Sequence, residues 1–340
     1  MKPGIVLILM TVIVQQFSIF AQKTDRTPPA PLYADPVYNG SRDPEIVYNP
    51  YEKEYWIYYT GSRPFTNTSN FVGTPIGIAA SKDLVNWRFV GYCSFDGIPG
   101  KPEVGHTYWA PGVFIEGDTA NMFVTYKSDT IAPWGGDSRI DHYKASISDM
   151  HRGWKFFQTV TDHPSAIDAT VLKVNGTYHL WFRDCICEPC GIFHAQSSDL
   201  KKWEFTGKTE GDVNIMDINK IWYQEGTYVF FWKKKYWMIT DPGDGIATYH
   251  SDDAIHWIYD GKILTKNTGI RKFDLTNGKH PSVAVINDRA FIFYHIEPYA
   301  DLKETFPGQK FICYLQMAEL TVENNKIHCD RNKPIILPQF

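Results

Sequence analysis

The sequence predicts an all-β chain folded as a five-bladed β-propeller, and three observations carry that expectation. One phrase is written four times: SKDLVNW (Ser81–Trp87), SISDMHRGW (Ser146–Trp154), SSDLKKW (Ser197–Trp203) and SDDAIHW (Ser251–Trp257). Its tryptophans stand 67, 49 and 54 residues apart, and a period of about 50 suits small sheets repeated around an axis. Between the phrases lie short alternating runs rich in β-branched and aromatic residues, while helical periodicity is nearly absent.

The units follow in order. The first offers EIVYNP, EYWIYYTG and IGIAAS before its Ser-Asp turn, and the second offers GVFIEG, NMFVTYKS and IDHYKAS. The third reads ATVLKVNG, TYHLWFRD and GIFHAQSS, and the fourth TYVFFW, KYWMITDP and GIATYHSD. Each is bounded by Gly, Pro, Asn or Asp, as strands ended by turns are. A fifth unit, KHPSVAVIN, RAFIFYHIE, KFICYLQMAELTV and KIHC, lacks the phrase, as the unit that closes a ring is free to do. A pair of stacked sandwiches would also supply short strands but would not explain the period. In the repeated phrase, Ser and Asp are expected to bracket a tight turn and Trp to pack between neighbouring sheets. The phrase is structural.

Composition bounds the function. The chain has 340 residues, 43% hydrophobic and 15% aromatic, enough for a sizeable core. A net charge of −4 with scattered Lys and Arg excludes the basic stripe that nucleic acid or an anionic membrane selects. Lys2, the apolar run Ile5 to Val14 and the small residues up to Ala21 read as an export signal over residues 1–22, with a retained anchor as the alternative. The propeller is then expected over 23–340, secreted or periplasmic, with no membrane insertion of the mature chain. Six cysteines suit an oxidising compartment. Crowded Cys185, Cys187 and Cys190 favour a loop disulfide or free thiols over a zinc site, and Cys313 with Cys329 offers a staple for the last hairpin.

Charge that does not belong in a channel marks candidate chemistry. Asp43, Asp168 and Glu225 each stand at the head of an apolar strand opening a unit, in what reads as one repeated slot. Three blades would then deliver one carboxylate each toward a common axis. Crowding and burial raise carboxyl pKa values, so one group can stay protonated while another remains an ionised base. Glycoside hydrolysis needs that division.

At these residues the sequence resembles glycoside hydrolase family 43. RDPEIVYNPYEKEYWIYYTG is similar to the family's first blade, YWAPGVFIEGDTANMFVTY to its second and AIDATVLKVNGTYHLWF to its third. EGTYVFFWKKKYWMIT and KHPSVAVINDRAFIFYH are similar to the fourth and fifth. The resemblance implies an inverting glycosidase with Asp43 as general base, Glu225 as general acid and Asp168 adjusting the acid's pKa. It implies about 6.5–9.5 Å between base and acid. Trp109 would wall the sugar site, with His106 and Arg183 as weaker candidates for substrate hydroxyls. His280 would sit where the family often places a channel histidine, in contact through water with a calcium ion. No cofactor is required for the chemistry; a structural calcium is the one metal implied.

The expected substrate is an oligosaccharide or polysaccharide, and the expected activity an exo-acting α-L-arabinofuranosidase or β-xylosidase on plant polysaccharide fragments. Two departures bear on substrate choice: Asp168-Ala169 replaces the usual Asp-Pro, and Thr227 the usual Pro. The related family 117, acting on agar-type oligosaccharides, is the neighbouring alternative. Asp35 in YADPV competes with Asp43 for the base role. A non-catalytic carbohydrate-binding propeller and a protein-interaction platform are the alternatives from other classes.

Overall fold

Five four-stranded antiparallel sheets, each connected in sequence order, make up the computed structural model. It describes residues 27–65, 72–97, 106–127, 137–161, 163–185, 190–215, 224–303, 306 and 308–337. Blade 1 comprises β1 (Ser41–Asn49), β2 (Glu54–Gly61), β3 (Ile76–Ser81) and β4 (Arg88–Tyr92). Blade 2 comprises β5 (Thr107–Glu116), β6 (Thr119–Lys127), β7 (Arg139–Ser146) and β8 (Lys155–Thr161). Blade 3 holds β9 (Ile167–Val174), β10 (Thr177–Asp184), β11 (Gly191–Ser197) and β12 (Glu204–Lys208). Blade 4 holds β13 (Glu225–Trp232), β14 (Lys235–Asp241), β15 (Ile246–Ser251) and β16 (Ile258–Ile263). Blade 5 holds β17 (Lys279–Ile286), β18 (Arg289–Ile296), β19 (Tyr314–Glu323) and β20 (Lys326–Cys329).

The first strands touch in the cycle β1–β5–β9–β13–β17 and back to β1. This is the five-bladed propeller expected from the repeat. The segment before blade 1 helps to close it, since Tyr33 bridges Leu315 and Gly40 bridges Cys313 beside β19. The expected leader and the start of the propeller at residue 23 lie outside the described residues. No helix among the described residues is long and apolar enough to cross a membrane.

The core is divided into five apolar clusters, one in each seam between blades. The repeated tryptophans serve four of these seams: Trp154 between blades 1 and 2, Trp203 between 2 and 3, Trp257 between 3 and 4, and Trp87 between 5 and 1. The remaining seam is filled by Trp232, Trp237 and Tyr294. The Ser-Asp phrases form the expected brackets. Asp83 Oδ1 accepts the N–H groups of Val85 and Asn86, Asp199 Oδ1 those of Lys201 and Lys202, and Asp253 Oδ1 those of Ile255 and His256. A short polar side chain thus satisfies turn donors that no ladder reaches.

Two cysteine expectations resolve here. Cys185 and Cys190 are joined in a disulfide, which removes two of the three thiols a zinc site would need; Cys187 lies outside the described residues. The Cys313–Cys329 staple is not formed, and both thiols are free. Cys329 pairs with Leu320 across the hairpin, seven residues along the strand from Cys313. At about 3.3 Å per residue that is roughly 23 Å, far beyond the reach of a disulfide.

Candidate active site

Each innermost strand begins with the same irregularity. One residue takes a left-handed backbone: Asp43 (φ 49°), Ala110 (φ 44°), Asp168 (φ 61°), Gly226 (φ 59°) and His280 (φ 40°). At each of these places the pairing register between first and second strand shifts. Proline follows in three blades, as Pro44, Pro111 and Pro281, and has no N–H to give to the ladder. A left-handed conformation is costly for Ala and His, so its recurrence calls for a compensating contact.

The contact is a side chain on the second strand of the preceding blade. Thr60 Oγ1 accepts the Ala110 N–H at 2.9 Å, and Thr125 Oγ1 accepts the Asp168 N–H at 3.0 Å. Asp241 Oδ2 accepts the His280 N–H at 3.1 Å, and His295 Nδ1 accepts the Asp43 N–H at 3.2 Å. In blade 3 the equivalent residue is Arg183, paired across the strands with Ile167. Guanidinium has no acceptor. The Gly226 N–H instead goes to Asp168 Oδ2 at 2.9 Å.

These strand starts line a cavity of about 600 Å³, within the size range of small-ligand sites. Asp43, Asp168 and Glu225 all face it, as do Trp109, Arg183 and His280. His106 is not brought in: its Nδ1 is 2.8 Å from the Tyr126 hydroxyl, and it is not among the cavity's residues. The slot is also not quite shared. Asp43 and Asp168 are the left-handed residues of their blades, whereas Glu225 stands one position earlier, equivalent to Arg42, Trp109, Ile167 and Lys279. The left-handed position of blade 4 is Gly226, where a Cβ would come within 3.0 Å of the His280 ring. Asp35 is occupied elsewhere, accepting from Tyr59 Oη at 2.6 Å and from the Val37 and Tyr38 N–H groups.

The electrostatics separate the carboxylates. Burial, reinforced by the charges of Asp168 and Asp241, pushes the Glu225 carboxyl up to about 8, so it holds a proton at neutral pH. Burial also raises Asp168, against the opposing pull of His280. His280 Nδ1 lies 3.3 Å from Asp43 Oδ1 and 3.9 Å from Asp168 Oδ2. Burial works against its charged form, but Asp43, Asp168, Glu225 and Asp241 outweigh it and raise the imidazole. Trp109 lines the cavity with Lys127 Nζ 5.5 Å from its ring.

Several site residues carried no signal that the sequence reading used. Asp241 is the cross-strand partner of Glu225, and burial lifts it to about 6 against the pull of Lys279 and two backbone N–H groups. Arg42 and Lys279 both pair with Glu297. Outside the cavity lining, Glu45 lies farther along β1, accepts the Val113 N–H at 3.1 Å and is raised by burial to about 8. The recurrent X-Pro at strand starts was the available pointer to Lys279, which directly precedes His280 and Pro281.

Two places bear on a metal. The calcium that the resemblance implies would be reached through water from His280, whose Nδ1 faces Asp43, with Asp168 and Asp241 keeping carboxylate lone pairs beyond the backbone N–H groups they accept. His295, Glu297 and Cys313 bring ligand atoms within 4.8 Å of one another. There, Arg42 and Lys279 hold the Glu297 oxygens, and burial keeps the Cys313 thiol protonated. An arriving cation would meet two fixed positive charges.

Comparison with known proteins agrees with this geometry. The family model of a probable glycosyl hydrolase domain, related to glycoside hydrolase family 43, matches residues 30–256. No curated protein matches the chain in sequence. Among solved structures, a thermostable family-43 glycoside hydrolase aligns at 20% identity and a TM-score of 0.62, covering 90% of this chain and 98% of its own. An α-L-arabinofuranosidase from Lactobacillus brevis aligns at 16% identity and 0.62, over 91% and 98% of the two chains. A β-xylosidase aligns at 15% identity and 0.61, over 85% and 95%. With two thirds of its length matched by that family model and its carboxylates gathered at the mouth of a five-bladed propeller, the chain belongs to the family-43-related glycosyl hydrolases and is a glycoside hydrolase.

Proposed function

We propose that the protein is an exported, inverting, exo-acting glycosidase, with α-L-arabinofuranosides and β-xylosides from plant polysaccharides as its first candidate substrates. The observation that carries the reading is that Glu225, whose carboxyl is pushed up by burial and by the neighbouring Asp168 and Asp241, lines the same cavity as Asp43 and Asp168. In this mechanism Asp43 takes a proton from water as the water attacks the anomeric carbon. Glu225 gives its proton to the departing glycosidic oxygen, and Asp168 orients the acid through the Gly226 N–H. His280, beside Asp43 and Asp168, compensates their charge. Trp109 offers an aromatic face to the sugar, and the Arg183 guanidinium offers donors to its hydroxyls.

The Cys185–Cys190 disulfide supports an oxidising location outside the cytoplasm. The calcium expected near His280 has no part in these steps. The test is turnover on a panel of nitrophenyl arabinosides, xylosides and galactosides, with the first-formed anomer read by NMR. Inverted product, and loss of turnover in Asp43→Asn and Glu225→Gln, is expected. Retained configuration, or normal turnover in either variant, would end this reading.

A further inference from the structure

Arg183 reaches the cavity without the tie that holds its counterparts. Thr60, Thr125, Asp241 and His295 each fix their side chain on the left-handed N–H of the next blade. Arg183 has no acceptor with which to do so. Its Nε is buried without a hydrogen-bond partner among the described residues, and yet the residue lines the cavity. Its place has to be set by something else.

The next residue, Asp184, supplies the hold. Its counterparts are Gly61, Tyr126, Pro242 and Ile296, none of which carries a carboxylate. Asp184 is fully buried. Its Oδ1 accepts the Ser165 hydroxyl at 2.6 Å and the Cys185 N–H at 2.7 Å, and its Oδ2 lies 2.7 Å from His163 Nδ1. Ser165 Oγ also accepts the Cys185 N–H, at 2.9 Å. These partners come from two stretches of chain, the connection that enters blade 3 and the end of its second strand. The connection is itself fastened to blade 2: the Ser138 N–H reaches the Pro164 carbonyl at 3.0 Å, and Ser138 bridges Ser165. Ser138, Pro164 and Ser165 all line the cavity. The carboxylate thus clamps the end of the strand that carries Arg183 to a wall of the site. A buried network of this kind is costly to leave half made.

We propose that Asp184 is a positioning residue for substrate binding: its clamp fixes Arg183 at the cavity so that the guanidinium meets a sugar hydroxyl. The inference rests on the glycosidase reading and adds to it a residue that is buried outside the cavity lining. Its effect belongs to binding, because Asp43 and Glu225 stand on blades 1 and 4 and the Asp168 N–H is held by Thr125.

The first readout is the affinity of D-xylose and L-arabinose by NMR titration, where no bond is cleaved. Turnover of the nitrophenyl panel by the wild type decides the hydrolase reading separately. Asp184→Asn keeps the size of the side chain but gives up an acceptor, and should weaken the better-bound sugar by about tenfold, the worth of one polar contact. Placed in Arg183→Ala, the same substitution should change affinity by less than about twofold, since residues that act as one unit are not additive. Where a glycoside is turned over, KM should rise by the same factor while kcat stays within about threefold. A clamp that serves stability alone would lower the denaturation midpoint and leave affinity unchanged, and that result overturns the proposal. So does an undiminished loss in the Arg183→Ala background, a fall in kcat at constant KM, or the absence of sugar binding by the wild type. Should Asp184→Asn not fold, Ser165→Ala removes one anchor and is expected to weaken binding by about threefold. Unchanged affinity in that variant overturns the proposal equally.

Discussion

Gly226 gives its backbone N–H to Asp168 Oδ2 at 2.9 Å, which ties the third carboxylate to the strand that carries Glu225. In the other four blades a second-strand side chain of the preceding blade takes this N–H. Arg183 cannot, because it has no acceptor. Asp168 therefore holds the backbone of the strand that carries Glu225 as well as facing the cavity, and Arg183 is left to face the cavity as a cation.

Two substitutions separate those duties. Asp168→Ala removes both the cap and the charge, and turnover should fall by about 10²–10³. Asp168→Asn keeps an oxygen for Gly226 but loses the charge that helps to raise Glu225. Its activity should fall off at a lower pH than that of the wild type, since the acid then loses its proton sooner. An unshifted alkaline limb in the Asn variant would remove Asp168 from control of the acid.

The pH profile of the wild type follows from Glu225 itself. Burial, with the charges of Asp168 and Asp241, pushes its carboxyl up to about 8, so on the proposed mechanism kcat/KM should decline on the alkaline side as the acid loses its proton. Glu225→Gln should slow substrates with poor leaving groups by about 10³ and aryl glycosides with good leaving groups much less. Equal losses on both would argue against proton donation to the glycosidic oxygen.

Glu297 links the site to stability. Burial disfavours its charge, but Arg42 and Lys279 overcome this and hold the carboxyl down at about 2, from 4.5. A depressed folded-state value stabilises above the unfolded pKa, and the benefit is lost as pH falls from about 4.5 toward 2. Its ceiling is about 3 kcal/mol at neutral pH. Glu297→Gln should lower the denaturation midpoint at pH 7, with a difference from wild type that narrows below pH 4. A constant difference down to pH 2 would refute the linkage.

The seam tryptophans should matter to folding alone. Trp257 is 1% exposed between blades 3 and 4, and Trp257→Ala should cost about 3–5 kcal/mol in chemical denaturation. The kcat of the folded fraction is expected to be unchanged.

Chelation tests the place of metal. On the proposed mechanism the chain supplies acid, base and third carboxylate, so EDTA treatment is expected to leave kcat unchanged, whatever it does to the melting temperature. A loss restored by calcium would put the ion into the reaction.

The propeller was legible in the sequence because its causes are local. A Ser-x-Asp turn brackets its own next residues, Trp87, Trp154, Trp203 and Trp257 mark the seams at blade spacing, and alternation of two residues makes the strands. Asp43 and Asp168 could be found because each heads an apolar strand. Glu225 was found by the same sign, although it sits one residue off the slot they share. His106, a weaker candidate for substrate hydroxyls, makes its hydrogen bond to Tyr126 and is not among the cavity's residues.

The amino-acid order by itself determined where strands begin, where they turn and which blades carry a carboxylate. Closure of the ring decided the rest. Only it set Asp241 opposite Glu225, brought Arg42 and Lys279 to one carboxylate, and made Asp168 the cap that Arg183 cannot be. The reason is physical: turns and alternation are settled among near neighbours, whereas proton affinity and ion pairing depend on which distant groups share a low-dielectric space.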